Sequence, residues 1–166
     1  GWCASAGQCT LQGNCTTGPQ FTDIDSCPVL TSLTPVNGSS LGGTRITISG
    51  NYFPGSTEKC RFSDGVQKIL TPKVADVTSG STIIGIQCDT PVGNFSRTTV
   101  DVDVVFTSSN ISLTTNNLTL PFTYYNCSVA TNCASCPLVG SECGWCMATA
   151  TCSNTASCPT SLNSST

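Results

Sequence analysis

The spacing of the cysteines constrains this chain more than any other feature. Near the end they run Cys127-x5-Cys133-x2-Cys136-x6-Cys143-x2-Cys146-x5-Cys152-x5-Cys158, with Gly144-Trp145-Cys146 inside the run. The chain opens on the same tripeptide, Gly1-Trp2-Cys3, and Cys3-x5-Cys9-x5-Cys15 repeats the spacing of Cys146-x5-Cys152-x5-Cys158. A fixed offset of cysteines, with Trp before the first, is an internal repeat. The segment between the copies differs in composition, so two small cysteine-rich units flank a third. The first copy reads as cut on its N-terminal side and the second on its C-terminal side, as expected for a piece of a longer modular array.

Units of this kind use disulfides in place of the apolar core they are too small to build, and disulfides persist in oxidising compartments. The total of 13 cysteines is odd, which is expected if some partners lie beyond the ends. Charged residues make up only 9% of the chain. Asn-x-Ser/Thr sequons stand at Asn14, Asn37, Asn94, Asn110, Asn117, Asn126 and Asn163, and attached glycans would supply the missing solubility. Only a secreted chain meets the machinery that adds them. Asn14 and Asn126 are the weakest candidates, because a cysteine occupies the middle of each triplet.

Several function classes fall away. The net charge is −3 and no Lys/Arg cluster exists, so nucleic-acid binding lacks the basic surface that phosphates require. No run of about 18 apolar residues could span a bilayer. There is no histidine, which removes Ser–His and Cys–His nucleophilic arrangements, and no enzyme activity is expected. Asp101 and Asp103 share a strand face and could form a carboxylate pair or calcium ligands, but an outward polar face is the simpler expectation; Asp23 and Asp25 read as solvated loop acids. Cys133, Cys136, Cys143 and Cys146 could offer zinc two Cys-x2-Cys knuckles. The loop between the knuckles is short, three more cysteines crowd the same stretch, and the sequons imply an oxidising space. Disulfides are therefore expected, with no metal and no cofactor.

The middle segment, from Cys27-Pro28 onward, is built of short strands. Leu30 and Leu33 lead to Pro35; Asn37-Gly38 and Gly42-Gly43 read as turns. Thr44–Ser49 alternates, with Ile46 and Ile48 on one face. Lys59–Phe62 is a short strand, and Val66–Val77 reads as one or two strands around Pro72. Thr82–Cys88 is another. In Thr98–Phe106, Val100, Val102, Val104 and Phe106 are expected inward and Asp101 and Asp103 outward. Leu118, Leu120, Phe122 and Tyr124 alternate in the last strand. About seven short strands with regular turn signals predict an all-β, antiparallel sandwich of immunoglobulin-like size. Cys60 and Cys88 are its only internal cysteines and are paired here; closing that loop would contribute on the order of 3 kcal/mol in the chain-entropy account.

Gly42-Gly43-Thr44-x-Ile46-Thr47-Ile48-x-Gly50-x-x-Phe53, with Lys59-Cys60-Arg61-Phe62 and Cys88-x-Thr90-Pro91, resembles an IPT/TIG domain. The flanking repeats, with Cys143-Gly144-Trp145-Cys146, resemble PSI (plexin–semaphorin–integrin) modules. The order PSI, IPT, PSI is similar to the extracellular stalk of plexins, and Phe122-Thr123-Tyr124-Tyr125-Asn126-Cys127-Ser128 running into Cys133-x2-Cys136 is the most plexin-like stretch. Hepatocyte growth factor receptors also carry PSI followed by IPT, but they lack a second PSI after the first IPT.

The resemblance implies a boundary scheme of 1–27 for the C-terminal part of a PSI module, 28–125 for the IPT/TIG sandwich and 126–166 for a PSI module lacking its last cysteine. It also implies the pairings Cys3–Cys15, Cys127–Cys143, Cys136–Cys152 and Cys146–Cys158, with Cys9, Cys27 and Cys133 left without partners by truncation. The implied role is that of a rigid spacer on the extracellular side of a single-pass membrane receptor. Its semaphorin ligand would bind a head domain absent from this segment, and the segment itself would touch neighbouring PSI and IPT modules but no membrane. The alternatives are the stalk of a hepatocyte-growth-factor-receptor-like kinase or an independent cell-adhesion binding module. Trp2 and Trp145 are each expected to pack over the disulfides of their own unit. Of Tyr124 and Tyr125, one ring is expected in the sandwich core and the other at the seam with the next unit.

Overall fold

The computed structural model describes residues 2–3, 8–9, 29–51, 53, 58–106 and 119–155. Asp23, Asp25, Leu118 and the Phe106 side chain lie outside the described residues.

Among the described residues, eight strands build the central unit: β3 (Val29–Thr34), β4 (Asn37–Ser39), β5 (Arg45–Asn51), β6 (Glu58–Ser63), β7 (Lys68–Ser79), β8 (Thr82–Asp89), β9 (Thr99–Phe106) and β10 (Leu120–Tyr125). Their hydrogen-bonded order is β3-β5-β8-β7-β6-β9-β10-β4. The expected all-β sandwich is present, and one long strand joins its layers. Residues Lys68–Pro72 of β7 pair with β6, and from Lys73 onward β7 pairs with β8. The change of partner falls at Pro72, which has no N–H to give a ladder. The segment expected as one or two strands is thus a single strand shared between two layers.

The alternating residues of the two layers meet in one core. Ile46, Ile48 and Ile86 come from one layer, and Phe62, Val100, Val102, Val104 and Phe122 from the other, all buried. Phe62 and Phe122 pack edge to face at 6.5 Å, and Phe122 and Tyr124 at 5.1 Å. A disulfide between Cys60 on β6 and Cys88 on β8 crosses the core, with a Cα separation of 6.3 Å.

Three local features refine this picture. Leu30 and Leu33, three residues apart, are both buried on β3, because the register with β5 shifts between Leu30 and Ser32. That bulge lets a spacing of three keep one face. Asn37-Gly38 is not a turn but part of β4, which runs parallel to β10 with Asn37 opposite Thr123; the sandwich is therefore not wholly antiparallel. Gly38 is required there for space, since a Cβ would lie 2.4 Å from Thr44 Oγ1 and 2.8 Å from the Phe122 ring. The other expected turn, at Gly42-Gly43, is present: the Gly42 N–H donates to the Ser39 carbonyl at 3.0 Å, and the φ values of 77° and 80° favour glycine. Third, Asp103 lies on the outer face but is only 3% exposed. The Arg61 guanidinium covers it, with Nε donating to Oδ1 at 2.9 Å and Nη2 bonding Oδ2. Asp101 is exposed and accepts from Thr119 Oγ1 at 3.1 Å.

The repeat in the sequence is also a repeat of the ladder. β1 (Trp2–Cys3) pairs with β2 (Gln8–Cys9) so that Trp2 faces Cys9 and Cys3 faces Gln8. β11 (Cys143–Cys146) pairs with β12 (Thr151–Asn154) so that Trp145 faces Cys152 and Cys146 faces Thr151. In the second unit a 3-10 turn, Cys127–Val129, and a short helix α1, Cys136–Val139, pack against this hairpin.

Candidate functional site

Several side-chain and backbone hydrogen bonds join the sandwich to the second cysteine-rich unit where the two meet. β10 ends at Tyr125, and one residue, Asn126, separates it from Cys127. Successive residues of a strand point to opposite faces. Tyr124 accordingly enters the sandwich core, where it stacks on Phe95 at 5.7 Å and donates its hydroxyl to the Pro91 carbonyl at 3.1 Å. Burial pushes the pKa of that hydroxyl above the ordinary phenol range. Tyr125 turns the other way and packs against the cysteine-rich cluster with Ala130, Val139 and Trp145.

Gly140 receives the Tyr125 ring. A Cβ at that position would sit 2.3 Å from Cζ and 2.4 Å from Cε2 of the ring. The Gly140 backbone is extended, with φ −178°, so glycine is needed for space and not for conformation. The Tyr125 hydroxyl accepts from the Glu142 N–H at 3.3 Å. The Glu142 side chain then reaches back into the sandwich. Thr44 Oγ1 donates to its two carboxylate oxygens at 3.0 and 3.1 Å, and the Ser39 N–H donates to Oε2 at 3.3 Å. Ser39 and Thr44 are both buried. The Ser40 N–H donates to the Tyr125 carbonyl at 2.8 Å, which carries the β4–β10 pairing to the edge of the seam.

Covalent straps lie directly behind these contacts. Cys127, two residues after Tyr125, is bonded to Cys143, the residue after Glu142, with Cα atoms 5.4 Å apart. Cys136 is bonded to Cys152 at a Cα separation of 5.5 Å. Trp145 packs against this cluster. Cys146 is disulfide-bonded, and Cys158, the partner the resemblance gives it, lies outside the described residues. Cys133 is a free, exposed thiol. Cys15 and Cys27 lie outside the described residues, as do Asn14, Asn110, Asn117 and Asn163. Asn37, Asn94 and Asn126 are exposed, on β4, in the loop before β9 and at the seam. Among the described residues no three His, Cys, Asp or Glu side chains converge as metal ligands, and no helix is long and apolar enough to cross a membrane.

The sequence did contain a signal for Glu142. It is the only charged side chain after Asp103, in a stretch otherwise solubilised by Ser, Thr and Asn. An isolated charge among cysteines is a candidate for a specific hydrogen-bonding role. Nothing in the sequence singles out Thr44 or Gly140 as its neighbours.

Comparison with known proteins places these elements in context. The family model described as the IPT/TIG domain matches residues 28–124. No curated protein matches. Among solved structures, the chain is similar to two of the plexin A4 full extracellular region. One spans domains 1 to 8 (TM-score 0.49, 21% identity) and covers 80% of this chain and 13% of the other. The second spans domains 1 to 10 (TM-score 0.48, 21% identity) and covers 80% of this chain and 11% of the other. A structural genomics protein of unknown function from Bacteroides thetaiotaomicron is similar over 59% of this chain and 22% of its own (TM-score 0.43, 17% identity). The chain thus spans little more than a tenth of the plexin A4 chains it matches.

Proposed function

The chain belongs to the IPT/TIG domain family, and from that premise we propose that it is a segment of the extracellular stalk of a plexin-type semaphorin receptor, a rigid spacer that holds a ligand-binding head in a fixed orientation. The observation that carries this is the seam. A spacer must resist bending where its units join, and a one-residue connection with a ring in a glycine notch, a carboxylate clasp and a disulfide behind both meets that need. A flexible Gly/Ser linker would not. The PSI–IPT–PSI order read from the cysteine repeats supports the same assignment, with units at 1–27, 28–125 and 126–166. In this role the segment lies outside the cell and makes no membrane contact. It binds no semaphorin itself and takes part in signalling by transmitting the position of the head.

The test uses the whole receptor. Four Gly/Ser residues inserted between Tyr125 and Cys127 are expected to leave ligand binding at the cell surface intact and to reduce signalling. Unchanged signalling would overturn the spacer role. Specific capture of a soluble ligand by the purified chain alone, at sub-micromolar strength, would favour an independent adhesion module instead.

A further inference from the structure

Asn126 ranks among the weakest of the seven sequons as sequence, but the structure gives it a special place. Asn126 is the single residue between the end of β10 and the Cys127 turn. Cys127, whose position in the triplet argued against modification, turns its side chain inward to the bridge with Cys143 and is 5% exposed. Asn126 and Ser128 on either side of it are both exposed. The Asn126 Oδ1 accepts from the Ser128 N–H at 3.0 Å and from Ser128 Oγ at 2.8 Å, and so caps the turn. N-linkage uses the amide nitrogen and leaves the carbonyl oxygen as an acceptor, so a glycan and this cap are chemically compatible. With Oδ1 committed to the turn, Nδ2 is the end of the amide left for a sugar.

Beside Asn126 lies a groove of about 260 Å³, formed by both units. Ser39, Ser40 and Leu41 line it from the sandwich, and Ser153 and Asn154 from the cysteine-rich hairpin. The lining of the groove is mostly apolar, and the exposed Leu41 offers an apolar surface to a pyranose face, with Ser40 and Ser153 beside it. Asn37 and Asn94 line no part of it. We propose that an N-linked glycan on Asn126 seats its first sugar in this groove and braces the two units across their seam. The inference rests on the extracellular placement proposed above.

The experiment takes the chain secreted from a eukaryotic host, maps glycopeptides by mass spectrometry, and follows hydrogen exchange of the peptide containing Ser39, Ser40 and Leu41. Asn126 is expected to be occupied. Trimming its glycan to a single N-acetylglucosamine should leave exchange unchanged. Ser128→Ala, which removes the sequon but keeps the Asn126 bond to the backbone, should raise the exchange rate of that peptide about three-fold, with no change around Cys60 and Cys88. If that variant is not secreted, wild-type protein deglycosylated in its native state replaces it. An empty Asn126 in a chain glycosylated at other sequons overturns the brace and leaves the extracellular placement standing. An occupied Asn126 with unchanged exchange in the variant also overturns it, since the sugar then points to solvent. A chain that carries no glycan at any sequon and keeps its cysteines reduced overturns the extracellular placement, and the brace with it.

Discussion

Tyr124 and Tyr125 are adjacent in the chain and belong to two different hydrophobic clusters, the first to the sandwich core and the second to the cysteine-rich unit. The alternation of a single strand therefore sews two folding units together without a linker. Each unit's packing constrains the backbone at the root of the other.

The notch at Gly140 sets the first prediction. Alanine can adopt the extended backbone found there, so any cost of Gly140→Ala comes from the collision of its methyl group with the Tyr125 ring. Overpacking of this kind costs about 1–3 kcal/mol. Urea unfolding of the secreted chain should show the loss. Tyr125→Leu in the Gly140→Ala background should recover part of it, because the smaller side chain vacates the notch.

The Glu142 clasp sets the second. Glu142→Ala leaves the Thr44 hydroxyl and the Ser39 N–H without their acceptor at a buried position, and hydrogen bonds to a carboxylate are among the stronger ones. A loss of about 1–2 kcal/mol is expected. A double-mutant cycle with Thr44→Val should give a coupling energy well above zero, since the two side chains share one interaction. Additive effects would show that the Thr44–Glu142 interaction contributes nothing.

Acid sensitivity sets the third. The Asp64 carboxylate accepts from Ser96 Oγ at 2.6 Å, Gln67 N–H at 2.7 Å, and the Ser96 and Val66 N–H groups at 2.9 Å each. The Ser96 hydroxyl first, and the three backbone donors with it, hold its pKa well below the usual carboxylate range. A carboxyl whose folded pKa lies below its unfolded value stabilises the fold fully above the unfolded value, and that stability drains away as pH falls. The thermal midpoint should thus decline progressively once pH drops below the ordinary aspartate value of 3.8. Asp64→Asn should lower the midpoint at neutral pH and flatten the decline in acid.

The bridge from Cys60 to Cys88 sets the fourth. It closes a loop with a sequence separation of 28 and ties the two layers of the sandwich. Replacing both cysteines with alanine should cost about 3.5 kcal/mol in the chain-entropy account, with some further loss from the cavity left in the core. Denaturant unfolding monitored by tryptophan and tyrosine fluorescence would measure it.

Much of this fold was legible in the sequence. Ile46 and Ile48, and Val100, Val102 and Val104, announce their strands because a period of two survives wherever one face is buried. The legibility fails where another constraint intervenes. Leu30 and Leu33 break the period because a bulge lies between them. Pro72 looks like a strand end and is instead the point where β7 changes partners. Asn37-Gly38 carries a turn signature, but its glycine answers to the space beside Thr44 and Phe122. Asp103 keeps the outer face its period assigns, yet Arg61 removes it from solvent. At the seam, Tyr125 is foreseeable from alternation alone. Thr44 and Glu142 meet across a long stretch of chain, and no local pattern records a contact of that range.

The central claim is that the seam fixes the orientation of the cysteine-rich unit relative to the sandwich. Residual dipolar couplings of backbone amides in the weakly aligned, secreted chain test it most directly. A single alignment tensor fitting residues 29–106 and 119–155 together is the predicted result. Couplings from residues 127–155 that require a separate tensor of clearly smaller magnitude would contradict it, because the two units would then reorient independently.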